Sequence, residues 1–434
     1  MANVFNITNL KKAYYYLKRN GIMPTIGAAL ERVQAPYFAD YKYCLPSQQE
    51  IERQRQIKWE DPIVFSIVVP AYETREEFLA VLINSLFEQT YPYWELILAD
   101  AGSSDKVKKH MEKYEDIRIK YFSLETNAGI SENTNRGIEK ATGDYIGLLD
   151  HDDYLTPDAL YEMAEAIKKG KENNREYQFL YSDEDKCDRD GKHFYDPHFK
   201  TDFNLDLFLT NNYICHFSVM KRELMQSLKF RKEYDGAQDY DIFLRAVGEL
   251  WKYNPKVEDT ICHVPKVLYH WRCHNDSTAA NPQSKSYAYD AGRRALQDFV
   301  NSRGWKAAVE EMAHVGFYKV NYQDGVFTQR EDIVAMGTKK IKIGKIYSGA
   351  FDKDGKLLYQ GLPFCYGGYI HRAVLTQNVA QLDIDTWMIN PKNKKMVETF
   401  LESNTSNKWE SKAERQRAIC EYLISQGYRL YWNP

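Results

Sequence analysis

The strongest constraint on the fold is a regular alternation of short apolar runs and helical stripes between residues 65 and 169. Phe65-Ser66-Ile67-Val68-Val69 is apolar and β-branched, as a buried strand is. Phe78, Leu79, Leu82, Ile83 and Leu86 then share one helical face. Residues 94–100, 117–122 and 145–150 read as three further strands, and 157–169 as a helix capped by Thr156 ahead of Pro157. Such alternation implies an α/β fold with a Rossmann-like, mostly parallel, doubly wound sheet. Ligands of these sheets bind beyond the carboxyl ends of the strands, where the polar clusters of this region fall.

On either side of this module, 62–320, the pattern changes. Residues 1–61 form a basic helical extension, with Ile7, Leu10, Tyr14 and Leu17 on one face and Lys11, Lys12, Lys18 and Arg19 beside it. Gly21 and Pro24 break this helix, and Ile26, Ala29, Leu30 and Val33 mark a second. The arm reads either as a contact with an anionic membrane surface or as packing on the catalytic module. Residues 321–434 read as a C-terminal α+β subdomain. Here Asp352-Lys353-Asp354-Gly355-Lys356 echoes Asp188-Arg189-Asp190-Gly191-Lys192, and Tyr431-Trp432-Asn433-Pro434 echoes Tyr253-Asn254-Pro255. The stretch 378–391 also resembles that around 211–221. The expectation is a degenerate, non-catalytic repeat of the acceptor-side half.

Lys plus Arg (58) nearly balance Asp plus Glu (61), so no global field selects nucleic acid. The seven cysteines are scattered singly with no C-x-x-C pair, against a disulfide framework or a closed zinc site. No signal-peptide core and no run of ~18 apolar residues occurs. A cytoplasmic protein, at most peripheral at the inner face of the plasma membrane, is expected.

The chemistry concentrates in Leu148-Leu149-Asp150-His151-Asp152-Asp153. Three carboxylates crowd a strand end, where like charges repel unless a cation sits among them. Hard oxygen ligands suit Mn2+ or Mg2+, which also bridges phosphates and assists a departing diphosphate. Val68-Val69-Pro70-Ala71-Tyr72-Glu73, the run 98–105 around Asp100, and Glu125-Thr126-Asn127-Ala128-Gly129 end the other strands. A tyrosine ring there can stack on a base, and an Asp can accept an imide N–H. The His/Cys group Cys262, His263, His270, Cys273 and His274 matches no usual zinc spacing.

The ordered motifs VVPAYE, ADAGSSD, NAGISENTNRGI and ATGDYIGLLDHDD resemble those of the family 2 glycosyltransferases with the GT-A fold. The resemblance continues in YSDEDK (181–186), 198–217, GAQDYDIFLR (236–245) and 265–279, and is strongest to bacterial enzymes building rhamnose-containing and other surface polysaccharides. It implies that Pro70, Tyr72, Glu73, Asp100 and Asn127 meet the nucleoside side of a nucleotide-sugar donor. Asp150 and Asp152 would meet metal and diphosphate, and Arg272 the diphosphate. His270 or His274 would help the metal, Asp183 and Asp185 would lie near the acceptor, and Asp239 would be the base. Two departures, Ala101 for a usual Asp and Thr134 for a common Arg, loosen the expected base preference.

Asp239 also stands on its own chemistry. An acceptor hydroxyl needs a carboxylate to take its proton, from a segment separate from the metal aspartates. A helix N-terminal Asp favoured by the dipole is the bland alternative, and Asp241 is open to both readings. The implied activity is inverting transfer of a hexosyl or rhamnosyl group from a UDP- or dTDP-sugar, dTDP-rhamnose among them. The acceptor is a growing cell-surface polysaccharide or lipid-linked glycan. The rivals are a nucleotidyltransferase, which usually carries a Gly-rich phosphate loop absent here, and a non-catalytic glycan-binding scaffold.

Overall fold

The computed structural model describes residues 7–34, 37–274, 286–403, 409 and 411–434, with side chains from Ala13 onward. The 275–279 part of the last motif, and the side chains of Ile7, Leu10, Lys11 and Lys12, lie outside the described residues. Two compact units are assembled from discontinuous stretches. One is Phe38–Phe203 with Tyr213–Leu296, and the other Met1–Tyr37 with Asn204–Asn212 and Gln297–Pro434. This division departs from the expected boundaries at 61 and 320.

The first unit is organised by nine strands. They are β1 (Phe65–Ala71), β2 (Trp94–Asp100), β3 (Ile119–Ser123), β4 (Tyr145–Leu148), β5 (Tyr154–Leu155), β6 (Phe179–Cys187), β7 (Phe194–His198), β8 (Ser218–Lys221) and β9 (Ile261–Arg272). They lie in the order β3-β2-β1-β4-β8-β6-β9-β5, with β7 beside β6. The first four are parallel, and β8 enters antiparallel to both β4 and β6. This is the α/β, GT-A arrangement. β1 and β2 are buried along almost their whole length, so they read as continuous apolar runs rather than alternating ones. The helix after β5 spans Ala159–Glu172, later than expected, because Asp158 rather than Thr156 takes the cap position and accepts the Thr156 hydroxyl at 2.8 Å.

In the second unit, helices Ile7–Asn20 and Ile22–Gln34 are separated at Gly21, whose φ of +82° a side chain would resist. Pro24 does not break a helix; it lies in the first turn of the second one, where a missing N–H costs nothing. Beyond these helices come β10 (Ala307–Glu311), β11 (Tyr318–Tyr322), β12 (Ile333–Gly337), β13 (Lys340–Lys342), β14 (Lys345–Ser348) and β15 (Ala350–Phe351). β16 (Gln377–Asn378), β17 (Gln381–Leu382), β18 (Met388–Ile389) and β19 (Arg429–Trp432) follow. The largest sheet of this unit runs β16-β19-β12-β18.

β12 is flanked by antiparallel β18 and parallel β19, with helix Lys412–Ser425 leading into β19. β6 is flanked in the same way by antiparallel β8 and parallel β9, with helix Gln238–Tyr253 ahead of β9. The two D-x-D-G-K turns are closed alike. Asp188 Oδ1 accepts from Lys192 N at 2.9 Å, and Asp352 Oδ1 from Lys356 N at 2.8 Å. The expected match of Tyr253 with Tyr431 fails, since Tyr253 ends a helix and Tyr431 lies inside β19. By strand order the counterpart of β19 is β9.

Within this unit the loop 204–212 supplies buried Leu205, Leu207, Phe208 and Leu209 together with Asp206. The fully buried Arg330 meets both oxygens of Asp206, at 2.8 and 3.3 Å, and both of Asp332, at 2.7 and 2.6 Å. These ion pairs offset the cost of desolvating the guanidinium.

Candidate active site

The carboxyl ends of β1, β2 and β4 carry the residues expected to meet the donor. Tyr72, just past β1, is 52% exposed, which leaves its ring face open for stacking. Asp100, the last residue of β2, is buried; its Oδ1 accepts from Gly102 N at 2.9 Å and its Oδ2 from the Tyr121 hydroxyl at 3.0 Å. Glu73, with φ +47°, accepts from Ser103 N and Oγ at 2.9 and 2.8 Å, and these bonds lower its pKa. It therefore joins the loops after β1 and β2. A Cβ at Gly102 would meet Asp100 Oδ1 at 3.0 Å, so a side chain there would press on this carboxylate. Pro70 is paired with Ala99 beside these loops. Asn127 Oδ1 closes the turn after β3, accepting from Gly129 N at 3.1 Å and Asn133 Nδ2 at 2.9 Å.

The three consecutive-region carboxylates after β4 have different environments. Asp153 is buried and accepts from the Tyr269 hydroxyl and from Arg272 N, so it ties the loop to β9. Burial and then the charges of Asp152 and Asp150 push its pKa well above the ordinary value. Asp152 is partly exposed and meets His274 Nε2 at 2.8 Å. His274, not His270, is thus the histidine against the expected metal aspartates. His270 is enclosed by the rings of Tyr43, Tyr154 and Phe194 at 4.5, 4.9 and 4.4 Å, and its Nδ1 meets Asp185 Oδ1 at 2.6 Å.

Arg272 is buried between the rings of Phe78 and Tyr154, at 4.9 and 5.1 Å. Its Nε donates to Asp152 O at 2.7 Å and its Nη1 to Arg189 O at 2.6 Å. Its Nη2 has no partner among the described residues. A buried guanidinium whose Nη2 donors are unused, braced against the Asp152 loop, is suited to an anionic oxygen.

Asp183 and Asp185 do not lie open to an acceptor. Asp183 Oδ1 accepts from Lys200 N and meets His263 Nε2, both at 2.8 Å, and Asp185 takes the Tyr41 hydroxyl at 2.7 Å besides His270. Both are at most 3% exposed, so their carboxylates serve the interior.

Asp150 and Asp239 line one small recess together with Cys215, His216, Ser218, Leu148 and Phe243. Asp239 sits in the first turn of helix Gln238–Tyr253. Burial and then the Asp150 charge raise its pKa to about 7, against an opposing pull from His216. A carboxylate balanced near neutrality suits a general base. Asp241, two residues on, is 1% exposed and clasped by Arg231 at 3.2 Å and Arg245 at 2.8 Å. It is a structural anion and does not line the recess.

Sequence reasoning passed over His216. β4 and β8 pair Leu148 with Ser218 in antiparallel register, and extending that register by two residues sets His216 opposite Asp150. The signal was legible only once β8 was known to be antiparallel. His216 N and Nδ1 both donate to Glu184 Oε2, the latter at 2.9 Å. Burial disfavours its charge, but Glu184 outweighs this and lifts its pKa to about 9.

Residues 66–229 match the profile of Glycosyl transferase family 2. An uncharacterised protein, y4gI of Sinorhizobium fredii, is 40% identical over 54% of this chain and 25% of its own length. The O-antigen biosynthesis protein RfbC of Myxococcus xanthus is 30% identical over 68% of this chain and 23% of its own. The putative colanic acid biosynthesis glycosyl transferase WcaA of Escherichia coli is 30% identical over 44% of this chain and 70% of its own. The chain thus spans about a quarter of the length of the first two.

Proposed function

Because the chain belongs to glycosyltransferase family 2, we propose that it moves a sugar, with inversion, from a UDP- or dTDP-sugar to a growing cell-surface polysaccharide or lipid-linked glycan. The observation that carries this reading is the shared recess of Asp150 and Asp239. The enclosed space has room for little more than one water, so only the reacting groups would enter it and the donor would lie across its mouth. The nucleoside would extend toward Tyr72, Asp100 and Asn127.

In this reading Asp239 takes the acceptor proton as the hydroxyl oxygen attacks the anomeric carbon. The bond to the diphosphate breaks on the opposite side. A single displacement by the acceptor oxygen, on the face opposite the leaving diphosphate, yields inversion. Arg272 Nη2 offers a hydrogen bond to the leaving oxygens. Asp150 and Asp152 offer hard oxygen ligands that fit a divalent cation, while burial and then their charges hold Asp153 beside them toward its neutral form. Bound there, Mn2+ or Mg2+ supplies Lewis-acid stabilisation of the departing diphosphate. The polysaccharide acceptor is supported by the O-antigen and colanic acid roles in the names of the two relatives. dTDP-rhamnose is among the donors to test.

Residues 297–434 are assigned a non-catalytic role as a donor-less counterpart of the acceptor-side half, on the strength of the common strand order. The amino-terminal helices are assigned to an anionic membrane surface, because Ile22, Met23 and Val33 are 66, 80 and 69% exposed. No helix among the described residues is long and apolar enough to cross a membrane.

A panel of nucleotide sugars, scored by hydrolysis and thermal stabilisation with and without Mn2+, tests the reading. One donor should stand out, its effect should need the metal, and Asp152→Ala should abolish it. Equal donor stabilisation in excess chelator would overturn the metal assignment.

A further inference from the structure

A second set of ligand atoms faces the recess. The Cys215 sulfur, a His216 ring nitrogen and an Asp239 carboxylate oxygen all lie within 4.8 Å of one another. The three side chains come from two places: Cys215 and His216 just before β8, and Asp239 from the first turn of its helix. The antiparallel entry of β8 next to β4 carries Cys215 and His216 to the end of β4, where Asp239 lines the same recess.

The surroundings of His216 resemble those of a metal ligand. Glu184 Oε2 occupies its Nδ1 at 2.9 Å, leaving Nε2 as the ring nitrogen available to a cation. The ring is stacked on Tyr269 at 4.9 Å, which fixes its plane. A carboxylate on the far nitrogen sets the tautomer of a ligating histidine and raises its basicity. Glu184 is in turn buried next to Lys200, so its own position is fixed.

Thiolate, imidazole and one carboxylate are not a magnesium set, since Mg2+ takes oxygen ligands almost exclusively. They suit a borderline-soft ion with tetrahedral preference. We infer that Cys215, His216 and Asp239 form a Zn2+ site with its fourth position open to the recess, separate in ligand set from Asp150 and Asp152. On binding, the Cys215 thiol and the His216 Nε2–H each give their proton to solvent as the sulfur–zinc and nitrogen–zinc bonds form, with no change of oxidation state. The functional consequence rests on the proposed role of Asp239. The oxygen that would accept the acceptor proton becomes a zinc ligand, so zinc occupancy and transfer exclude each other.

Cobalt(II) replaces zinc as a coloured probe and tests the site without any substrate. Titrating the full-length protein with Co2+ alone should produce a near-ultraviolet thiolate-to-cobalt charge-transfer band, bleached by added Zn2+. Oxygen ligands give no such band, so binding at Asp150 and Asp152 does not mimic it. Cys215→Ser should remove the band, while Glu184→Gln should keep it with affinity roughly 10–100-fold lower. No band in the wild type, or a band that survives Cys215→Ser, overturns the site. Should Cys215→Ser not fold, alkylation of the wild type decides. Zn2+ should protect Cys215 but not the exposed Cys44 and Cys365, and equal labelling of Cys215 with and without Zn2+ overturns the site. A protein that shows the band yet transfers no sugar keeps the zinc site and loses only the proposed function.

Discussion

Asp239 and Asp241 begin the same helix two residues apart and have opposite environments. Asp239 lines the recess with Asp150, while Asp241 is enclosed by Arg231 and Arg245. The helical turn of 100° per residue places them on different faces, and this separates a reactive carboxylate from a structural one.

Removing the structural one should destabilise the module. Asp241→Ala leaves two guanidinium groups without their shared anion, a change that typically costs about 3–5 kcal/mol for a buried pair. Denaturant unfolding should show that loss. A midpoint equal to wild type would mean that the clasp contributes nothing.

The reactive one should weigh on stability instead. Its pKa is raised above the ordinary 3.8 to about 7, so the folded protein holds a proton that the unfolded chain has already lost. Stability from this group is therefore full below pH ~4 and is lost as pH rises through 7. Asp239→Asn should be more stable than wild type at pH 8, by on the order of 1–3 kcal/mol, and the gain should vanish near pH 4. Thermal melts of the metal-free proteins at both pH values check it; a gain independent of pH contradicts the assigned cause.

The strand ends were legible because their residues are local. β2 was delimited from its apolar run, and Tyr72, Asp100, Asp150 and Asp152 all follow such runs directly. What sequence could not give were facts set by distant pairing. Asp183 and Asp185 look like open acidic residues in YSDEDK, yet Lys200, Tyr41, and His263 and His270 of β9 use their oxygens from three other segments. His270 and His274 lie four residues apart in one motif, and their roles are separated by their carboxylate partners, Asp185 and Asp152, and by the aromatic enclosure of His270. The loop 204–212 looked like part of the catalytic module because its partners, Arg330 and Asn378, are more than 120 residues away.

That loop makes a clear forecast for truncation. Ending the chain at residue 320 removes Arg330 and leaves Asp206 and Leu205, Leu207 and Phe208 without their buried surroundings. The shortened protein should aggregate or bind hydrophobic dyes, whereas Arg330→Met in the full chain should lower stability by roughly 3–5 kcal/mol. A soluble, cooperatively unfolding 1–320 fragment would show that the loop does not need its partners.

The amino-terminal helices allow a test that leaves their packing intact. Arg19 pairs with Glu311 at 2.7 Å, and Glu31 accepts from Gly367 and Gly368 N at 2.9 and 2.7 Å. Deletion would disturb these contacts, so the exposed Met23→Asp and Val33→Asp are the better changes. Together they should reduce sedimentation with anionic vesicles several-fold, in a manner weakened by salt. Unchanged sedimentation would leave the helices with packing alone.

The central claim is that Asp239 acts in chemistry and not in holding the donor. Asp239→Asn preserves shape and removes the base. With the donor identified from the panel, turnover and donor-induced thermal stabilisation should be measured in the presence of Mn2+. The account predicts wild-type stabilisation with turnover lowered by roughly 10²–10⁴. Turnover within a few-fold of wild type, or its loss in Asp241→Asn alone while that variant stays folded, would contradict it.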